Sequence, residues 1–214
     1  MNSKNIVLGT VIVTAVMGTA AGFFFFHSSN AQMSCNTVVP RPIIIAFGDS
    51  LVEGYGAREG GDFVSKLSAR IGVPILNYGK SGDTTTDGLA RVKEVEGRAD
   101  IVILLLGGND ALRKTPLAET KQNLATLIER FQAGGRTQVV LVGVLGGFPS
   151  DPYAPMFKEL AKERDVTFVP NILSGLIANS KYMSDQVHPN EAGYEKIADR
   201  LTPIMNAACA AGLK

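Results

Sequence analysis

Ser50 stands in the stretch IIIAFGDSLVEGYG, residues 43–56, where a run of apolar, mostly β-branched residues stops abruptly at Gly48-Asp49-Ser50. A hydroxyl at the rim of a buried strand serves as a helix cap, as a nucleophile, or as both. The chain has two histidines, and His27 closes an apolar segment beside four phenylalanines, so His188 is the imidazole left for proton transfer near neutral pH. Asp185 precedes it by three residues, an offset that in a turn brings a carboxylate to one ring nitrogen and leaves the other facing outward. Nucleophile, base and orienting carboxylate are what serine acyl transfer requires. Gly82 offers a backbone N–H unobstructed by a side chain, and Asn109 a side-chain amide. With the Ser50 N–H they form a candidate oxyanion hole, a set of donors aimed where charge develops on a carbonyl oxygen. His188-Pro189-Asn190 also reads as the start of a helix capped by Asn190, but a cap gives no reason for Asp185.

These residues need a scaffold that holds them at one edge, and the hydrophobic pattern supplies it. Ile43 to Phe47, Val73 to Tyr78, the DIVILLLGG run from Asp100, TQVVLVGVL from Thr137 and VTFVP from Val166 read as five strands. Between and after them, apolar residues recur at helical spacing: Phe63, Val64, Leu67, Ile71; Leu89, Val92, Val95; Leu117 to Phe131; Met156 to Glu163; Tyr194, Ile197, Ala198, Leu201. Strands without a polar face, alternating with helices, predict a parallel sheet covered on both sides. The expected fold is α/β, a flavodoxin-like, doubly wound five-stranded parallel sheet with helices on both faces. Ligands in such sheets bind beyond the carboxyl ends of the strands. GDS, NYGKSGDT, GGND and DQVHPN all fall on that edge.

Composition narrows the alternatives. The 214 residues carry a formal net charge of +1 and no basic, aromatic-interleaved cluster, which argues against nucleic acid as a partner. Residues 6–26 contain no charged side chain and Lys4 alone precedes them, long enough for a membrane anchor, while Ser29-Asn30-Ala31 has the small-x-small pattern of a signal-peptidase site. Anchor and cleaved signal stay equally open. Either way the domain is expected to be exported, to the periplasm or to the periplasmic face of the inner membrane, or secreted if cleaved and released. The expected division is an export segment and short linker, 1–39, and one domain, 40–214. Cys35 and Cys209 lack metal-site spacing; in an oxidising compartment they form a candidate disulfide, with paired and free thiols equally open. Gly79-Lys80-Ser81 is not a phosphate loop, because Pro74 stands where its first glycine belongs. Asp49 and Asp110, beside glycines, read as turn-fixing residues.

The four clusters, in this order, resemble the SGNH (GDSL) hydrolases: GDSL at Gly48–Leu51, SGDT at Ser81–Thr84, GGND at Gly107–Asp110 and DQVHP at Asp185–Pro189. The likeness spans the whole domain and is nearest to the bacterial arylesterases, acyl-CoA thioesterases and lysophospholipases. It implies Ser50 as nucleophile, His188 as base, Asp185 as its orienter, an oxyanion hole of Ser50, Gly82 and Asn109, and no metal or other cofactor. Gln186-Val187 stand where that branch often has a glycine before one further residue. The implied activity is serine-dependent hydrolysis of carboxylic esters or thioesters on a small-molecule or lipid substrate, by a monomer. Alternatives are an envelope carbohydrate O-acetylesterase and a non-catalytic acyl- or glycan-binding protein using the same cleft. The loop 145–157 follows the fourth strand, and Leu145, Phe148 and Tyr153, with Met156 and Phe157, are the expected apolar wall of the acyl side.

Overall fold

The structure, a computed structural model, describes residues 35–38, 40–144 and 152–211. Five strands form one sheet: β1 (Ile44–Gly48), β2 (Ile75–Gly79), β3 (Ile101–Leu105), β4 (Gln138–Val142) and β5 (Thr167–Val169). Their order is β2-β1-β3-β4-β5, and all pairings are parallel. Winding therefore reverses at β1, and the crevice at the switch point opens between the carboxyl ends of β1 and β3.

Period-two alternation divides the core. Ile44, Ala46, Ile101, Ile103, Val140 and Val142 face one side, against α2 (Phe63–Ile71) and α7 (Glu191–Ala211). Ile45, Phe47, Val102, Leu104, Val139 and Leu141 face the other, against α3 (Thr85–Arg91), α5 (Leu117–Gln132) and α6 (Tyr153–Glu163). Both faces are covered, which is why the central strands β1 and β3 read as unbroken apolar runs. Cys35, in a 3-10 turn, is joined by a disulfide to Cys209 of α7.

Two short helices sit on the carboxyl rim, α1 (Ser50–Glu53) and α4 (Gly108–Leu112). α1 turns off β1 at once, and the turn is tight: a Cβ on Gly48 would lie 2.3 Å from the Leu105 carbonyl oxygen and 2.4 Å from Val52. α3 begins at Thr85, four residues before the Leu89 stripe that marks it in the sequence. Thr84 caps it reciprocally with Asp87, the hydroxyl accepting the Asp87 N–H and the carboxylate accepting the Thr84 N–H. Residues 6–26 lie outside the described residues. No helix among the described residues is long and apolar enough to cross a membrane.

Candidate active site

Asp49 caps α1, its carboxylate accepting the Leu51 N–H at 3.0 Å, and Ser50 is the first helical residue. The first N–H groups of a helix have no intrahelical acceptor, so the Ser50 amide is left available at the positive end of α1. Ser50 Oγ lies 2.9 Å from His188 Nε2, across 138 residues of sequence, and His188 Nδ1 lies 2.7 Å from Asp185 Oδ2. An ionised carboxylate cannot donate, so Nδ1 carries the proton and Nε2 presents its lone pair to the serine hydroxyl.

The turn that carries Asp185 and His188 is held by its own backbone. Asp185 Oδ1 accepts the N–H groups of Val187 at 2.8 Å and His188 at 2.7 Å. Ser184 donates its N–H and its hydroxyl to the His188 carbonyl, at 2.9 and 3.0 Å. Asn190 then caps α7, accepting from Ala192 and Gly193. Burial works against the Asp185 carboxylate, but the His188 ring and the two N–H donors outweigh it and hold its pKa below the ordinary value. The Tyr55 ring rests against the imidazole, with centroids 4.5 Å apart.

Gly82 lies in the turn Lys80–Asp83, closed by the Asp83 N–H on the Lys80 carbonyl at 3.2 Å. Its φ is +84° and Ser81 is not left-handed, the pattern of a type II turn, which wants glycine at this position. Every residue of the turn is fastened elsewhere. The Lys80 N–H donates to Gly48 O at 3.0 Å, and Ser81 donates its N–H to Glu53 of α1 at 2.7 Å, with its hydroxyl on the same oxygen. Gly82 O accepts from Arg113 at 2.8 Å, and Asp83 O accepts one amide proton of Asn109 at 2.9 Å. Asn109 keeps a second amide proton for another acceptor.

Ser50, Asn109 and His188 line a cavity of about 110 Å³ whose apolar walls are Leu112, Val144, Leu173, Ile177 and Val187. The wall differs from expectation. Tyr153, Met156 and Phe157 recur at i, i+3 and i+4 on α6 and face the sheet; all three are buried in the core, and the Tyr153 hydroxyl donates to Thr115 O at 3.0 Å. Leu145 and Phe148 lie outside the described residues. Among the described residues, Leu112, Leu173, Ile177 and Val187 line the cavity where Tyr153, Met156 and Phe157 do not. Leu112 is 61% exposed and Val187 37%, and each stands within three residues of a chemical group of the site, Asn109 and His188. That proximity was the signal available in the sequence.

Burial pushes the Asp49 carboxyl up to about 7 against the opposing Leu51 N–H, and the nearby Asp83 and Asp110 carboxylates add to the rise. Asp110 fixes local structure: it accepts the N–H of Thr85 at 2.9 Å and its hydroxyl at 2.5 Å.

This geometry has relatives. The profile of the GDSL-like lipase/acylhydrolase family matches residues 46–196. The chain belongs to that family. Esterase TesA of Pseudomonas aeruginosa is 27% identical over 175 residues, which are 76% of this chain and 87% of that protein. Thioesterase 1/protease 1/lysophospholipase L1 of Escherichia coli is 28% identical over 176 residues, 76% of this chain and 85% of that protein. Among solved structures, that of TesA superposes with a TM-score of 0.73 at 26% identity, covering 78% of this chain and 99% of that one. AlinE4, an SGNH-hydrolase family esterase, gives 0.61 at 32% identity, covering 78% and 95%. The protein is thus an ester hydrolase of the GDSL/SGNH type with the α/β sheet of that family.

Proposed function

We propose that this hydrolase cleaves carboxylic esters and thioesters with apolar acyl groups through an acyl-serine on Ser50. The observation that carries the reading is the unbroken relay Ser50–His188–Asp185, with contacts of 2.9 and 2.7 Å, opening onto an apolar cavity. Ser50 Oγ attacks the acyl carbon while His188 Nε2 takes the hydroxyl proton, and Asp185 stabilises the imidazolium. The carbonyl oxygen becomes an oxyanion facing the N–H groups of Ser50 and Gly82 and the Asn109 amide. On collapse His188 returns its proton to the leaving oxygen or sulfur. A water, deprotonated by the same nitrogen, then adds to the acyl-serine, and the second oxyanion collapses to release the acid and restore Ser50.

The apolar walls support an acyl chain over a sugar ring, whose hydroxyls need polar partners. The Cys35–Cys209 disulfide fits an oxidising compartment and supports export directed by residues 6–26, with the active domain acting as a monomer.

The test is hydrolysis of p-nitrophenyl esters from acetyl to decanoyl by the wild-type protein and by Ser50→Ala. Loss of the nucleophile costs about 10⁴–10⁶ in kcat. The rate is expected to pass through an optimum set by the cavity. A folded Ser50→Ala protein with wild-type turnover would refute the assignment, and a flat chain-length profile would refute the acyl wall.

A further inference from the structure

A partly buried cation near the site takes no part in the relay. Arg91 ends α3, and its side chain is 13% exposed. Its Nε donates to Asp83 Oδ2 at 2.5 Å and its Nη2 to Gly48 O at 2.8 Å, while the guanidinium carbon lies 4.0 Å above the centre of the Phe47 ring. The two acceptors belong to the two halves of the site. Gly48 stands two residues before the nucleophile, and Asp83 follows Gly82 directly. The guanidinium is planar, with its N–H groups in a fixed fork, so two acceptors bound to it are held at a set separation. Stacking on Phe47, a β1 residue with its side chain fully buried, fixes the plane itself.

We propose that Arg91 is a positioning residue that sets the separation between Ser50 and the Gly82 N–H. Charge neutralisation of Asp83 alone needs only a cation and could come from lysine. The bridge to the Gly48 carbonyl needs the fork. The transition state is the species that feels the difference, because the oxyanion forms only after attack, and a donor displaced by a fraction of an ångström loses the developing charge while leaving the bound ester untouched. Glu53 and Arg113 also hold the turn, but from its solvent side. The Lys80 N–H ties the start of the turn to the Gly48 carbonyl, and Arg91 ties its far end, Asp83, to the same carbonyl through one rigid group.

This inference rests on the serine-hydrolase reading, and the experiment separates the two. Full-length wild type, Ser50→Ala, Arg91→Lys and Asp83→Asn are compared with p-nitrophenyl butyrate, together with melting temperature and the Ki of a trifluoromethyl ketone whose adduct with the nucleophile bears an oxyanion. Arg91→Lys, which keeps the charge, is expected to lower kcat by about 10–100-fold. KM should stay within about threefold, and Ki should rise in proportion to the loss in kcat. If Arg91→Lys fails to fold, Asp83→Asn is read in its place, with the same split expected because a neutral amide holds the guanidinium less firmly. A folded Arg91→Lys with wild-type kcat and Ki overturns the inference, as does a kcat loss with no change in Ki. Activity surviving in Ser50→Ala overturns the nucleophile assignment instead.

Discussion

Asp49 has two roles that pull its carboxyl in opposite directions. As the cap of α1 it accepts an N–H and favours ionisation; as a buried group beside Asp83 and Asp110 it resists it, and burial prevails. Its pKa is about 7 in the folded protein against 3.8 ordinarily. Between those values the folded protein holds a proton that the unfolded chain has released. The Asp49 contribution to stability therefore falls as pH rises from about 4 to about 7 and is level above. Asn caps a helix as well as Asp and does not titrate. Thermal melts of Asp49→Asn and wild type should accordingly diverge across that window, the variant gaining with pH, and a constant difference would show that Asp49 titrates normally. At this scale the sequence was most legible where a residue type is scarce. His188 was the one histidine of the domain, and a helix cap at Asn190 did not account for Asp185 three residues before it. Tyr153 misled because an aromatic in a loop next to a strand end looks the same whether it turns toward the ligand or toward the core.

The turn Lys80–Asp83 and the helices α1, α3 and α4 are the elements that hold the donors. Around Gly82 there is room: the nearest heavy atom to a Cβ there would be Arg113 Nη2 at 3.8 Å. Gly82→Ala therefore meets no clash, and its cost lies in the left-handed φ of +84°, about 1–2 kcal/mol. The turn will relax toward negative φ and swing its N–H. A drop in melting temperature and a fall in kcat of about 10–100-fold, with KM little changed, are expected. Wild-type kcat in Gly82→Ala would remove that N–H from the proposed oxyanion hole. Strands and long helices were readable from period alone, but α3 began earlier than its stripe. The stretch Asp83-Thr84-Thr85-Thr86-Asp87 offers three threonines as caps, and the choice among them is made from outside: Asp110 takes the N–H and hydroxyl of Thr85, which fixes Thr84 as the cap. α4 has five residues, too short to show a periodic signal, so the nearness of Leu112 to Asn109 was its one mark in the sequence.

The whole molecule places the site by its strand order. With β1 flanked by β2 and β3, Ser50, Gly82 and Asn109 arrive from three neighbouring strand ends, while His188 comes from the connection before α7, after the sheet is complete. That these residues share the carboxyl edge of a parallel sheet followed from alternating apolar runs, and the strand order did not. Nor did the contacts of Arg91, because a side chain bound to a backbone carbonyl 43 residues away leaves no pattern in the sequence. The disulfide joins Cys35 to Cys209 at a sequence separation of 174, around all five strands and the relay. Removing it with Cys35→Ala and Cys209→Ala together is expected to cost about 2–5 kcal/mol, read as a lower denaturant midpoint, with kcat of the folded double variant unchanged. An unchanged midpoint would mean the thiols are unpaired in the isolated protein. In covalent terms residues 35–209 are closed into a ring. A protease that cuts the backbone once anywhere inside the ring releases no fragment, since the two pieces stay tethered through sulfur. The nicked molecule, heavier by one water, stays in one piece until a reductant opens it.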